Sequence, residues 1–416
     1  MVSVEVVDEI FRSALRSRVF RDREKLLPDY VPEVLPHRDA EIRRVASVLA
    51  PALRGEKPSN LFIYGLTGTG KTAVVRFVLS KLEQAAREAG ARVKSVYVNV
   101  RYRDTPYRVL AEIAESVGVR IPFTGLSTSE VFDRMVGKMR GSGYVYVIVL
   151  DEIDSLVRRH GDDLLYKLTR VNTQLDGAKV SLIGITNSID LVENMDPRVK
   201  SSLSEVETVF PPYNADQLRD ILEARAREAF VDGALHEEVI PLCAALAARE
   251  HGDARRALDL LRVAGEIAER SGASIVTPEH VMAAREEIER DRVADVVRVL
   301  PLHSKLVVLA VILATGGGLG YTTTGEIYDA YRKLTQRLGI ETVTMRRVSG
   351  ILAELDMAGL LAGRVVSRGR YGKTRVVELK ADTQLILKTL AEDLMIEELV
   401  EDVSREALGK RGSSLR

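Results

Sequence analysis

The sequence predicts an α/β protein in three parts: a parallel sheet with crossover helices, a small helical bundle, and a C-terminal unit of three helices and a hairpin. Three observations lead there. Four apolar runs, Leu61–Tyr64, Val93–Val100, Val145–Leu150 and Val180–Thr186, alternate with amphipathic stretches, the pattern of buried parallel strands. From Ala215 to about Arg292 the pattern is helical throughout, with stops at Gly233, Gly252 and Gly272. Beyond Pro301, three helical stretches precede a basic, glycine-tipped hairpin.

Residues 1–60 read as helical and polar, punctuated by Pro28, Pro32 and Pro36, and Pro211 and Pro212 close the sheet region. The expected boundaries are 1–212 for the sheet domain, 213–299 for the bundle and 300–416 for the last unit. Residues 101–143 are long for a simple crossover and hold two helical stretches, Tyr107–Val117 and Ser129–Met139.

A chain of 416 residues can build two or three cores. With 46% apolar and 29% charged residues it has a soluble globular profile. No apolar run reaches the eighteen or so residues that span a bilayer, and Met1–Ile10 lacks the basic-then-apolar pattern of a signal peptide. Cys243 is the only cysteine, which excludes an internal disulfide and a cysteine-based metal site. A cytoplasmic protein with no membrane partner is expected. Six Asn and five Gln are few for this length and lean toward a thermophile. Net charge is zero, but Pro301–Lys380 carries twelve Lys and Arg against six Asp and Glu, a local excess of the kind phosphate contacts require.

Gly65-Leu-Thr-Gly-Thr-Gly70-Lys71-Thr72 fits the phosphate-loop pattern, between the strand at Leu61 and a helix carrying Val74, Phe77, Val78 and Leu82. Glycines at 65, 68 and 70 let backbone N–H groups turn toward one anion, and Thr67, Thr69 and Ala73 complete the loop and first helical turn. Lys71 can reach the terminal phosphates, and Thr72 can offer its hydroxyl to Mg²⁺. The run ending at Leu150 delivers Asp151 and Glu152. The first suits the metal and its water shell, and the second can polarise an attacking water. Both also suit an ordinary acidic helix start. Asn187 closes the next strand, where it can orient that water or serve as a turn residue. ATP or ADP with Mg²⁺ is the expected cofactor.

In the last part, Thr323-Thr-Gly-Glu326 reads as a capping box opening a helix to Leu338, stopped by Gly339. Thr344–Met357 forms a third helix with a buried stripe of Val348, Ile351, Leu352 and Leu355. Arg346 and Arg347 lie off that stripe near its start, where a recognition helix meets a groove. The hairpin from Arg364 to Arg375 holds five basic residues and no acid, with Arg368, Arg370, Tyr371 and Lys373 as candidate DNA contacts. This is a winged-helix arrangement. Residues beyond Ala381 read as one amphipathic helix.

The phosphate loop, acidic strand end and polar strand end, in that order, resemble the AAA+ ATPases. Four further segments narrow the resemblance: Asp29-Tyr-Val-Pro-Glu-Val-Leu35-Pro-His-Arg38, Asp196-Pro-Arg-Val-Lys-Ser-Ser-Leu203, Phe210-Pro-Pro-Tyr-Asn214 and Gly252-Asp-Ala-Arg-Arg-Ala-Leu258. Together they resemble archaeal replication initiators of the origin-recognition and cell-division-control type, from about Val19 to Lys380. The resemblance implies an AAA+ parallel-sheet ATPase core, a helical lid domain and a C-terminal winged-helix DNA-binding domain. It implies that Val31, Pro32 and Leu35 line the adenine pocket. Arg255, or its neighbour Arg256, would be the lid arginine at the terminal phosphate. Tyr213 and Arg225 match positions where the lid closes on nucleotide, and Arg198 matches an arginine offered to a neighbouring subunit. An arginine at a helix end is also commonly a solvated charge. The insertion at 101–143 would contact DNA, with Arg120, Thr124 and Arg134 available for phosphates.

The favoured function is a slow, Mg-dependent ATPase switch. It would dock on duplex origin DNA and recruit a replicative helicase of the minichromosome maintenance type, with other initiator subunits as further partners, and would be nucleoid-associated. A nucleotide-switched transcription regulator and an AAA+ DNA motor subunit are the alternatives, marked by promoter-confined binding and by nucleotide-driven hexamers.

Overall fold

The computed structural model describes residues 17–409 except 29, 189, 190, 192–194, 319 and 368–372, with backbone alone at 365, 367, 373, 374, 408 and 409. The chain divides into two compact units, Met1–Ala284 and Arg285–Arg416.

The described part of the first unit opens, from residue 17, with an irregular segment and a single 3-10 turn, Arg23–Leu26, before helix α1, Asp39–Leu49. The expectation of a helical start therefore fails for 17–38. Prolines at 28, 32 and 36 remove N–H donors and force their predecessors out of the helical region. There follow β1 (Leu61–Gly65), α2 (Lys71–Ala89), β2 (Val93–Asn99), α3 (Pro106–Ser116), α4 (Thr128–Met139), β3 (Val145–Asp151), α5 (Ile153–His160), α6 (Asp163–Arg170), β4 (Lys179–Thr186), α7 (Pro197–Leu203) and β5 (Val206–Phe210). The strands form one sheet in the order β2-β3-β4-β1-β5, and every pairing is parallel.

Four of these strands lie where the apolar runs predict them. β5 was not anticipated. It is short, two of its five residues are exposed, and Glu207 and Thr208 break its apolar residues, so it lacks the continuous apolar run of a strand covered on both faces. Alternate residues feed two cores. Phe62, Val96, Ile148, Leu150 and Leu182 pack with α3–α6 on one face. Leu61, Ile63, Val147, Val149, Ile183 and Ile185 pack with α1 and α2 on the other. The register pairs Tyr64 with Thr186 and Asp151 with Ile185, so the carboxyl ends of β1, β4 and β3 open side by side. In open α/β sheets this is where ligands sit.

Four helices form the lid: α8 (Ala215–Ala229), α9 (Val239–Arg249), α10 (Ala254–Arg270) and α11 (Pro278–Arg298), the last running on into the second unit. Asn214 opens α8 with a full capping box to Gln217. Residues 19–21 are strapped to these helices. The Arg21 N–H donates to the Ala229 carbonyl (2.8 Å) and the Val231 N–H to the Val19 carbonyl (3.0 Å). The Phe20 ring packs on Phe230 and over Gly265, where an added Cβ would lie 2.3 Å from the ring.

The second unit holds α12 (Leu302–Ala314), β6 (Tyr321–Thr323), α13 (Thr324–Leu338), α14 (Met345–Met357), β7 (Leu361–Ser367), β8 (Lys373–Leu379), α15 (Thr383–Leu390) and α16 (Glu397–Gly409). The capping box at Thr323 and Glu326 forms as expected, and Gly339 ends α13 with φ of 67°. Val348, Ile351, Leu352 and Leu355 are buried beneath α14. The three strands pair antiparallel in the order β6-β8-β7. The C-terminal stretch is two helices where one was expected, because Asp393 accepts from the Met395 N–H and a turn replaces the helix there. Among the described residues no helix is long and apolar enough to cross a membrane.

Candidate nucleotide site and DNA-facing surfaces

A cavity of about 820 Å³ lies at the carboxyl ends of β1, β3 and β4, walled by the segment before α1 and by α8 and α10. It gathers Val31, Pro32, Leu35, Gly68, Thr69, Gly70, Lys71, Thr72, Ala73, Asp151, Glu152, Asn187, Tyr213, Arg225 and Arg255. Gly65 and Thr67 are not among its lining residues. Gly65 is buried, and an added Cβ would meet the Phe210 carbonyl at 2.4 Å. Its role is to let the loop leave β1 close against β5. Thr67 is exposed.

Gly70 caps α2 in the left-handed region, with φ of 85°. The Lys71 ammonium is buried and donates to the carbonyls of Gly65 (2.8 Å) and Leu66 (2.6 Å). Burial pulls its pKa down to about 8. The nearby Arg255 guanidinium pushes the same way, and the Asp151 carboxylate opposes both. The Thr72 hydroxyl donates to Asp151 Oδ2 (2.6 Å), and Tyr97 from β2 donates its hydroxyl to the same oxygen (2.6 Å). Desolvation and that carboxylate hold the Tyr97 phenol well above its ordinary range. Glu152 caps α5 with φ of 58°, a conformation that costs a non-glycine residue of order 1 kcal/mol. Such cost is usually kept where a side chain must be aimed. Its carboxylate lies 3.7 Å from the Arg101 guanidinium.

Of the two lid arginines, Arg255 is on the cavity wall. Arg256 pairs instead with Glu250 (2.8 Å). Asp253 caps α10, and the next N–H, of Ala254, donates to the Gly68 carbonyl (3.1 Å). The lid thus touches the phosphate loop through backbone atoms. Arg225 is buried against the cavity, but its donors hold the carbonyls of Lys25 (3.1 Å) and Tyr30 (3.0 Å), and its plane covers the Tyr30 ring. It fastens the wall that carries Val31 and Pro32.

Arg198 is not brought to the cavity. It is exposed on α7, bonded to Asp196 through Nε (3.1 Å) and Nη2 (2.8 Å), and holds that carboxyl down at about 2. Arg120, Thr124 and Arg134 are exposed on α4 and the loop before it, and Arg134 is paired with Glu130 (2.7 Å). Arg346 and Arg347 are exposed on the first turn of α14, and Arg347 reaches Glu354 (3.2 Å). Arg368, Arg370 and Tyr371 lie outside the described residues, and of Lys373 only the backbone, opening β8, is described.

A residue with no motif of its own, Arg38, also reaches the loop. It is 2% exposed and donates to the Thr69 carbonyl of the phosphate loop (3.0 Å). Nothing in composition marks it, since a lone arginine before a helix reads as a surface charge.

Comparison with known proteins agrees with this architecture. An AAA domain profile matches residues 54–192, a Cdc6 AAA+ ATPase-type lid domain matches 219–286, and a CDC6 C-terminal winged helix domain matches 295–389. ORC1-type DNA replication protein 1 of Aeropyrum pernix is 62% identical over 396 residues, covering 95% of this chain and 100% of that protein. Its namesake from Sulfurisphaera tokodaii is 57% identical over 388 residues, 93% of this chain and 97% of that one. The solved structure of the Aeropyrum pernix ORC1 protein in complex with DNA superposes with a TM-score of 0.85 at 63% identity, covering 92% of this chain and 100% of that chain. A phosphate-loop sheet, a four-helix lid and a winged helix, matched end to end by these relatives, place the chain in the archaeal ORC1/Cdc6-type family of DNA replication initiators, within the AAA+ ATPases.

Proposed function

We propose that this initiator is a nucleotide switch that binds ATP or ADP with Mg²⁺, docks on duplex origin DNA and helps recruit a replicative helicase of the minichromosome maintenance type. The observation that carries the switch is the single cavity in which the phosphate loop, the Asp151–Glu152 pair and a lid arginine meet. Thr72 and Asp151 fit a hard cation, since a hydroxyl and a carboxylate oxygen lie 2.6 Å apart beside the loop. Bound Mg²⁺ would neutralise charge on the β- and γ-phosphate oxygens. Lys71 binds the terminal phosphates, Glu152 accepts a proton from the attacking water, and Asn187 orients that water. Val31, Pro32 and Leu35 hold the base. Arg198, exposed and outside the lining of its own cavity, serves a neighbouring subunit. Hydrolysis is slow because a switch needs a long-lived state.

Arg255 comes from the lid, so its contact with the terminal phosphate closes α10 onto the loop. Arg255→Ala should cut ATP affinity about tenfold more than ADP affinity, the weight of one charged hydrogen bond. Calorimetric titration of both nucleotides reads the ratio, and equal losses would make Arg255 a general phosphate anchor.

For DNA, the reading is supported by the relative whose structure holds DNA and by the exposed arginines at the start of α14. Arg346 on a helix suits a guanine edge, and Arg370, between β7 and β8 in the sequence, suits a phosphate. Arg346→Ala should cost about 1–3 kcal/mol on origin duplex and little on random duplex. Arg370→Ala should weaken both alike and lower the salt slope by about one. Titrations of each variant on both duplexes at several salt concentrations test this. Indistinguishable behaviour of the two variants would remove α14 as the reading element.

A further inference from the structure

Arg38 carries a charge in a fully buried position, which is costly unless it is paired and hydrogen-bonded. It is both. Nε bonds the Thr69 carbonyl (3.0 Å), Nη2 the Pro211 carbonyl just past β5 (2.6 Å), and Nη1 the Glu41 carboxylate (3.3 Å) and the His37 carbonyl (3.4 Å). The guanidinium lies 3.8 Å from the centre of the Tyr213 ring.

These contacts bear on the phosphate loop through peptide geometry. A trans peptide is planar, and its C=O and following N–H point in opposite directions. No described peptide is cis. A donor that holds the Thr69 carbonyl therefore fixes the direction of the Gly70 N–H. The Ala254 N–H, holding the Gly68 carbonyl, does the same for Thr69. The anion nest of a phosphate loop consists of such N–H groups, so its shape is set by what grips the carbonyls from behind. One grip comes from the lid. The other, Arg38, stacks on Tyr213, whose own N–H donates to the lid carbonyl of Gly252 (3.2 Å).

We propose that Arg38 is a positioning residue of the phosphate site: by holding the Thr69 carbonyl it turns the Gly70 N–H toward bound phosphates, and by stacking on Tyr213 it ties that orientation to the lid. This rests on the reading of Gly65–Thr72 as the nucleotide site. Arg38 touches no reacting atom. A purely structural role would weaken every ligand alike, whereas this role acts on phosphates alone.

The test compares ADP with adenosine, by calorimetry on the full chain, in wild type, Arg38→Met, Arg38→Lys and Tyr213→Leu, with thermal melts to establish folding. Arg38→Met should shrink the ADP-over-adenosine preference about ten- to a hundredfold, the weight of a charged hydrogen bond, and leave adenosine affinity nearly unchanged. Arg38→Lys keeps the charge but lacks the planar fork that spans the Thr69 and Pro211 carbonyls and Glu41 together, and should recover part of the preference. If Arg38→Met does not fold, Arg38→Lys alone must still show a reduced preference. Tyr213→Leu should shift the preference the same way, and the double variant should lose less than the product of the two. Multiplicative losses would overturn the tie to the lid. An unchanged preference in folded Arg38 variants, or equal loss for both ligands, would overturn the positioning role while leaving the nucleotide site standing. A wild-type chain with no preference for ADP would overturn both.

Discussion

Glu152→Gln is expected to bind ATP as tightly as wild type and to turn it over about a hundred- to ten-thousandfold more slowly, the usual contribution of a positioned general base. The substitution keeps the shape and length of the side chain and removes its charge, with it the capacity to take a proton and the pairing with the exposed Arg101. The backbone at 152 already sits in a left-handed conformation and caps α5 without a side-chain bond, so the amide adds no conformational cost and breaks no cap. Binding should survive because Lys71, Thr72 and Asp151 are untouched. Single-turnover phosphate release, paired with an ATP titration, separates the two effects. Turnover equal to wild type would sink the assignment and turn attention to Asp154, whose carboxylate accepts from Thr186 (3.0 Å) near the same cavity.

Lys71→Ala should lower ATP affinity at least about a hundredfold without unfolding the chain, because an ammonium facing phosphates makes two or more charged hydrogen bonds. The same side chain predicts a pH dependence. Its pKa stands at about 8, depressed mainly by burial. Phosphates favour the charged form, so affinity is complete below that value and declines as pH rises through it. The folding equilibrium moves the other way. An unfolded lysine keeps its proton up to about the ordinary 10.5, so between about 8 and 10.5 the unfolded chain binds more protons and this group's contribution to stability rises with pH. Titrating wild type and Lys71→Ala with ATP from pH 7 to pH 9.5 checks the first claim: the slope should vanish in the variant. A slope that persists would belong to another group.

How much of this was legible beforehand follows from what kind of signal each residue leaves. The phosphate loop was readable because glycine is demanded by backbone geometry and lysine by charge at a fixed spacing, and a strand and helix flank it. The winged unit was readable for the same local reasons: a capping box at Thr323, a stop at Gly339 and a periodic stripe under α14. β5 was hidden because Glu207 and Thr208 interrupt its five residues, so that no apolar run marks it. Arg38 and the fastening role of Arg225 were hidden because both act through backbone carbonyls far away in sequence, 31 residues for Thr69 and 195 for Tyr30. A carbonyl has no residue type, so no motif records it. Arg198 shows the opposite limit: the resemblance alone, and not spacing or composition, implied an arginine offered outside its own cavity.

The strapping of residues 19–21 onto the lid bears on the timing of nucleotide exchange. Arg225 extends that attachment to Lys25 and Tyr30, so the wall formed by Pro28–Leu35 is fastened to α8 while the phosphate loop belongs to the sheet. In the proposed switch, a lid that swings away would have to drag this wall with it or break the Arg225 hydrogen bonds. Release of the base and release of the phosphates would then be one event, gated by a single opening rate. Departure of bound nucleotide should be first order and indifferent to the concentration of the incoming competitor, and an initiator built this way keeps time by the lifetime of its closed state.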